Sequence, residues 1–382
     1  MGRRATRQSE SDGLQDPHLR RTPRQHSCLP GGVERAQRPL WRQERRRGRH
    51  QRRGGRDRQW HRQRHGRTAA STAAQCRTRA CRVAANGNGR DRIVKLDHYP
   101  PQEPLSPLGL AYQQRILALG EGIEGIEQAY GDDPYQSLAV FSPATPSGDV
   151  LVFFHGGGWT SGYKEWMYFM APALLAQGVT LVSAGYRLAP GHVFPSAFDD
   201  AATALAWVWR NIASHGGDPR RIFVGGHSAG GHYAALLAVS SGWRAQHRLP
   251  ADVLRGCLPV SGVYRFGAGS GLSTRPRFLG TNDEARVDVE ASPLLRLEAA
   301  ASPPFMISYG SRDFAHLITQ AQQMEAALRA AGVPVQVQIL EGCDHFEASV
   351  ACGELPSGWP ALAAAWMRQR AASPNPSTGE PQ

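Results

Sequence analysis

Residues 221–238 read RIFVGGHSAGGHYAALLA, and the fold class follows from them. RIFV is a short run of β-branched and aromatic residues, the composition of a buried strand. AGGHYAALLA is rich in Ala and Leu, the composition of a helix. Between the two stands Gly226-His227-Ser228-Ala229-Gly230, a G-x-S-x-G pentapeptide in a strand-turn-helix setting. So abrupt a turn forces the serine into a strained conformation and drives the residues two positions either side against the neighbouring strand and helix. Glycine at 226 and 230 removes that collision. The Ser228 hydroxyl then stands at a helix N-terminus, where free N–H groups and partial positive charge favour a developing anion. A serine so placed is expected to be a nucleophile.

Upstream, residues 149–162 read DVLVFFHGGGWTSG. A strand runs straight into His155-Gly156-Gly157-Gly158-Trp159. Three glycines let backbone N–H groups approach a nucleophile more closely than side chains would permit. Gly157 and Gly158, with Ala229 after the serine, are expected to donate to an oxyanion. His155, Gly156 and Trp159 read as supports of this loop, as Gly226 and Gly230 support the serine turn.

A base and an acid should follow the serine in chain order. His345 is the candidate base, in EGCDHFE after the strand-like PVQVQIL. Other histidines fit less well: His227 and His232 flank the turn and should point away from the hydroxyl, His215 precedes the serine, and His316 sits at a helix start. Asp313 is the candidate acid, closing ISYGSRD. Asp344 adjoins His345, cannot easily turn back onto its ring, and reads as loop-stabilising; Asp283 and Asp288 fall in what reads as a surface loop. In this assignment Ser228 attacks a carbonyl, His345 carries the proton to the leaving group, and Asp313 orients and balances the imidazolium. An acyl-enzyme forms and water clears it, with no metal or organic cofactor required.

Working outward, SLAVFS (137–142), DVLVFF (149–154), VTLVSAGY (179–186), GCLPVSG (256–262), PFMISYG (304–310) and PVQVQIL (334–340) are further strand-like runs. Unbroken apolar runs suit strands covered on both faces. Helical patterns alternate with them. Residues 196–213 place Phe198, Leu205, Val208, Trp209 and Ile212 on one face, with Ser196 and Asp199 reading as a capping box. Residues 316–331 repeat the pattern with Leu317, Met324 and Leu328 and stop at Gly332 and Pro334; a last helix spans about 359–371. The alternation predicts an α/β fold, a mostly parallel doubly wound sheet with helices on both faces. Residues 107–128 and 264–290 interrupt it and are candidate lid segments.

The formal net charge of +12 is unevenly placed. Residues 1–92 hold 25 Arg, no Lys and seven acidic residues, a net +18, which leaves −6 for the remainder. This Arg-, Gln- and Gly-rich segment has too few apolar residues to offset the entropy of ordering and reads as a disordered extension, as does the tail 372–382. An RNA-binding arm, a transit peptide (against which its acidic residues and prolines speak), or a segment with no selected function, such as sequence upstream of a misplaced start, are its three readings, and the acidic body makes nucleic acid at most an accessory partner. Six cysteines (28, 76, 81, 257, 343, 352) form no CxxC pair or zinc-like cluster and read as free thiols of a reducing compartment. The start MGRRATRQ lacks the apolar stretch of a secretory signal, and no run reaches membrane-span length, so cytoplasmic residence without a membrane partner is expected.

The catalytic domain, expected over 93–371, also carries a resemblance. From residue 130 to about 370 the chain resembles the esterase/lipase branch of the α/β-hydrolases that carries HGGGW. YRLAPGHVFPSAFDDAATALAWV (186–208) and HGGDPRRIFVGGHSAGG (215–231) are similar to hormone-sensitive-lipase-like carboxylesterases. GHSAGGH, SGVYRF, SPL (292–294) and DHFE look more like kynurenine formamidases, or arylformamidases, whose HGG-x-W motif is met by His155 to Trp159. The resemblance implies Ser228, Asp313 and His345 as triad, acting on a small soluble ester or aryl formamide. Trp159, Tyr163, Tyr186, Tyr264, Phe266 and Phe346 are candidate pocket walls, or else core residues. Two other classes stand against the enzyme: an inactive hydrolase fold that binds a ligand or a protein, and an RNA-binding role for the arm. The sequence leaves the oligomeric state open.

Overall fold

The apolar runs of the sequence become strands of one sheet. The computed structural model describes residues 96–354 and 358–372. Its strands are β1 (Ile126–Ala129), β2 (Ser137–Phe141), β3 (Val150–Phe154), β4 (Thr180–Ala184), β5 (Ile222–His227), β6 (Leu254–Val260), β7 (Phe305–Gly310) and β8 (Val335–Leu340). They lie in the order β1-β2-β4-β3-β5-β6-β7-β8. β1 pairs with β2, and β2 with β4, antiparallel; every pair from β4 to β8 is parallel.

Parallel neighbours need crossovers, and helices supply them. The helices are α1 (Pro107–Leu119), ahead of the first strand, α2 (Ala171–Leu175), α3 (Ser196–Asn211), α4 (Ala229–Val239), α5 (Gly242–Gln246), α6 (Glu284–Ala291) and α7 (Ala315–Ala330), between strands, and α8 (His345–Val350) and α9 (Trp359–Ala372), after the last. Side chains alternate across a strand, so β3 feeds both faces. Val150, Val152 and Phe154 join one apolar cluster with α3, α4 and α7, while Leu151 and Phe153 join a second with α1, α2 and α9. β3, β4 and β5 are buried along their whole lengths, which is why their sequences do not alternate. The parallel strands end on one edge of the sheet, and their following loops gather there.

Three expectations are corrected, and one strand was not foreseen. Residues 107–128 are not a lid: α1 buries Tyr112 and Ile116 in the second cluster, and β1 adds an edge strand. β1, with the sequence IEQA, is largely exposed and so carries no apolar signal. Ser196 is the first residue of α3 rather than its cap; Pro195 holds the cap position, and no side chain bonds there. Asp288 lies inside α6, paired with Arg275, and Asp283 precedes that helix.

The readings made for residues 1–92 lie outside the described residues, as does the expected tail 372–382 apart from Ala372, which is the last residue of α9. Cys257, Cys343 and Cys352 are free thiols. Among the described residues, no helix is long and apolar enough to cross a membrane. Nor does any group of His, Cys, Asp and Glu there have an arrangement that could hold a metal ion.

Candidate active site

β5 ends at His227 and α4 begins at Ala229, so Ser228 alone makes the turn. Its backbone sits at φ 55 and ψ −115, a conformation that costs a non-glycine residue about 1–3 kcal/mol. The flanking glycines explain how the chain tolerates it. A Cβ at 226 would fall 2.4 Å from the Gly230 backbone, and one at 230 would fall 2.1 Å from the Phe154 carbonyl oxygen. The Ser228 N–H donates to the Val260 carbonyl at 2.9 Å, which ties the turn to β6.

The loops after β7 and β8 bring the other two groups. They are joined through their backbones: Ser311 N–H donates to Leu340 O at 3.0 Å, and Arg312 N–H to Cys343 O at 2.9 Å. Asp313 follows on the first loop and His345 starts α8 after the second. The His345 Nδ1–H donates to Asp313 Oδ1 at 2.9 Å, and its Nε2 faces Ser228 Oγ at 3.0 Å, placed to accept the hydroxyl proton. Asp313 Oδ1 also accepts the Phe314 N–H at 2.7 Å. Burial alone would push the Asp313 carboxyl up; the hydrogen bond and charge of His345 outweigh it and hold the carboxyl below the usual range. The nearby Ser261 hydroxyl adds to this, although it makes no close hydrogen bond.

Asp344 does not touch the His345 ring. Its side chain accepts the N–H groups of Phe346 and Glu347, both at 2.9 Å, while Glu347 returns a bond to the Asp344 N–H. This capping box fixes the start of α8, and therefore the backbone of His345. His227 holds the same residue from below. Its Nε2–H donates to the His345 carbonyl at 2.9 Å, with the two rings 4.7 Å apart. Burial, then the neighbouring His345 charge, lowers the His227 pKa to about 3, so it is neutral at ordinary pH. His215 caps no part of this cluster; it ends the short helix after α3.

The loop after β3 packs directly on the serine turn. A Cβ at Gly156 would meet His227 Nδ1 at 2.9 Å and Ser228 Cβ at 3.3 Å. Gly157, Gly158 and Trp159 all take positive φ, at 113, 60 and 66. The Gly157 carbonyl turns into the loop and accepts Ser161 N–H at 3.1 Å and the Ser161 hydroxyl at 2.9 Å. Among the described residues, the N–H groups of Gly157, Gly158 and Ala229 have no acceptor. His155 is buried; its Nδ1–H donates to Gly156 O at 2.7 Å and its ring stacks on Tyr186 at 4.2 Å. Burial lowers its pKa to about 4.

Trp159 is held from three sides. Its ring stacks on Phe278 at 4.4 Å, its Nε1–H donates to His232 Nδ1 at 3.2 Å, and its carbonyl accepts the Ala189 N–H at 2.9 Å. His232 in turn donates through Nε2 to Ala291 O at 2.7 Å, at the end of α6. Residues 264–290 thus sit over the loop through Phe266 and Phe278, unlike 107–128. Further along, the Gln102 side chain pairs with both backbone groups of Gly162, accepting its N–H at 2.8 Å and donating to its carbonyl at 2.9 Å. Glu103 beside it forms an ion pair with Arg277.

Of the aromatic candidates, Tyr186, Tyr264 and Phe266 are packed inside the core, and Trp159 is nearly so. Tyr163 and Phe346 keep partial exposure. Sequence reasoning missed one residue beside the site and the bonds made by two others. His227 and His232 were visible as the variable letters of GHSAGGH but look away from the hydroxyl, as expected, and act on neighbours instead. Phe314 carried no sequence signal beyond its place after Asp313.

Comparison with known proteins agrees with the topology. The esterase LipC of Mycobacterium tuberculosis is 35% identical over 219 residues, which cover 53% of this chain and 54% of that protein. An isoprenylcysteine alpha-carbonyl methylesterase of Arabidopsis thaliana is 27% identical over 240 residues, covering 57% and 55%. The chain spans about half the length of the curated relatives it matches. Among solved structures, a bacterial heroin esterase is 26% identical with a TM-score of 0.56, over 69% of this chain and 91% of that one. An esterase of Pyrobaculum calidifontis, at 22% identity and a TM-score of 0.58, shares the fold over 69% and 93%. The family model described as the alpha/beta hydrolase fold matches residues 151–348, more than half of the 382 residues, and the chain belongs to that family.

Proposed function

We propose that this chain is a serine hydrolase acting on small carboxylic esters through an acyl-enzyme. The observation that carries the reading is the series Asp313–His345–Ser228 beside a glycine loop packed on the serine turn, with the N–H groups of Gly157, Gly158 and Ala229 left without acceptors among the described residues. In the first half-reaction His345 Nε2 takes the Ser228 proton as Oγ bonds to the carbonyl carbon. The carbonyl oxygen becomes an oxyanion, and the three N–H groups are its donors. The tetrahedral intermediate collapses, the bond to the leaving oxygen breaks, and His345 returns the proton to that oxygen. Asp313, held ionised, stabilises the imidazolium between the two transfers. Water repeats the sequence, activated by His345, and releases the acid.

The esterase names of several relatives favour esters. Two of the letters that suggested a formamidase, His227 and His232 of GHSAGGH, make structural bonds and do not face the hydroxyl. An N-formyl aryl amide would follow the same steps with nitrogen as leaving atom. We assign the catalytic unit to residues 93–371, with 1–92 and 372–382 outside it.

The test sets p-nitrophenyl acetate, p-nitrophenyl palmitate and N-formylkynurenine side by side, with fluorophosphonate labelling of Ser228. Acetate turnover above palmitate, labelling of wild type and none of Ser228→Ala are the expected results. An unlabelled wild type without turnover would favour an inactive binding fold. Faster formylkynurenine than acetate turnover would move the assignment to formamides.

A further inference from the structure

Phe314 is 48% exposed, more than any other Phe, Tyr or Trp among the described residues. A single exposed apolar ring is ordinary on a protein surface. Its location is not. Phe314 follows Asp313 directly, and its N–H is held by Asp313 Oδ1, so its backbone cannot drift from the site. Its ring centre lies 4.9 Å from that of His345 and 5.8 Å from that of His316, nearly parallel to the latter at 12°. His316 is half-buried and braced, since a Cβ on Gly271 would touch its Cβ at 2.6 Å.

The other rings around His345 are committed elsewhere. Phe346 meets it edge-on at 5.5 Å and packs on Tyr112, and His227 is buried beneath it. A substrate's leaving atom must come within hydrogen-bond reach of His345 Nε2 to receive its proton. Of the rings flanking His345, Phe314 is the most exposed.

We propose that Phe314, backed by His316, is the shelf for the leaving group and that it selects leaving groups that carry an aromatic ring. This rests on the serine-hydrolase reading above. A ring laid on Phe314 gains a stacking contact that a saturated ring of the same size does not, worth about three- to tenfold in kcat/KM. The leaving oxygen itself is untouched by the shelf, so the effect belongs to the group attached to it.

Benzyl acetate and cyclohexylmethyl acetate make the test, because both release a primary alcohol of similar size. The ratio of their kcat/KM values is measured for wild type, Phe314→Leu and Phe314→Tyr. The wild type should prefer benzyl by at least about threefold. Phe314→Leu should bring the ratio near one, and Phe314→Tyr, which keeps a ring, should retain the preference. A wild type without preference, or a Leu variant with the wild-type ratio, overturns the shelf and leaves the esterase reading standing. A wild type that hydrolyses neither ester, nor p-nitrophenyl acetate, removes both.

Discussion

Replacing Asp313 by Asn removes one charge while keeping almost the same shape. The geometry says what else changes. Oδ1 of Asp313 accepts from His345 Nδ1 and from the Phe314 N–H, at 2.9 and 2.7 Å. An asparagine that turned its NH2 towards that corner would set a donor against the Phe314 N–H. Its oxygen is therefore expected to stay there, and the histidine keeps the tautomer that leaves Nε2 free for the serine. What is lost is the attraction between a carboxylate and the imidazolium that forms in the transition state. Two unit charges about 4 Å apart at an effective dielectric near 20 attract by about 4 kcal/mol. At about 1.4 kcal/mol per factor of ten, kcat should fall roughly 10³-fold. This is milder than the ~10⁴ seen where the tautomer is lost as well. Asp344→Asn is the control. Asn caps a helix as well as Asp does, so only the charge near the start of α8 is removed, worth about 0.3–1 kcal/mol. kcat should then stay within about fivefold. Both variants are assayed for kcat on p-nitrophenyl acetate, with near-ultraviolet dichroism to check the fold. If Asp344→Asn is the more damaged, or if Asp313→Asn keeps a tenth of wild-type kcat, the electrostatic account fails.

Gly230→Ala should lower stability by about 3 kcal/mol or more, because the added Cβ meets the Phe154 and His155 carbonyl oxygens at 2.1 and 2.5 Å. Gly158→Ala has open space around it and a φ of +60, so only about 1 kcal/mol of backbone strain is expected; urea midpoints that rank the two the other way would contradict the packing. Acid should unfold the protein through His155 and His232, whose folded pKa values fall from 6.5 to about 4 by burial. Between those values the unfolded chain binds protons that the folded chain refuses, so stability is full above about pH 6.5 and drops as pH falls. The slope is roughly 1 kcal/mol per pH unit for each histidine, and a urea midpoint unchanged between pH 7 and pH 5 would refute it.

Legibility from sequence followed the range of the interactions. The runs VLVFF and RIFV announced β3 and β5 because burial on both faces leaves nothing polar in them. IEQA did not announce β1, since an exposed edge strand needs no apolar face. Ser228, His345 and Asp313, now hydrogen-bonded in series, were each readable because strand ends and turn glycines are local signals. The bond between Trp159 and His232 joins residues 73 apart, and no local pattern forecasts it. The same holds for Gln102, whose partner Gly162 lies 60 residues on. Phe314 escaped notice because exposure belongs to the folded surface rather than to the letter.

The clamp of Gln102 on Gly162, with Glu103 on Arg277, bears on how such a protein can be cut and recombined. The part matched by the family begins at residue 151, and a chimaera joined there would look safe on an alignment. Its donor half would carry the glycine loop, and its acceptor half would decide whether that loop is fastened. An acceptor without an amide at the position of Gln102 would leave both backbone groups of Gly162 to water. Exchange points ahead of residue 96 keep the loop and its fastening on one piece of DNA, so the heritable unit of this site is longer than the stretch the family model matches.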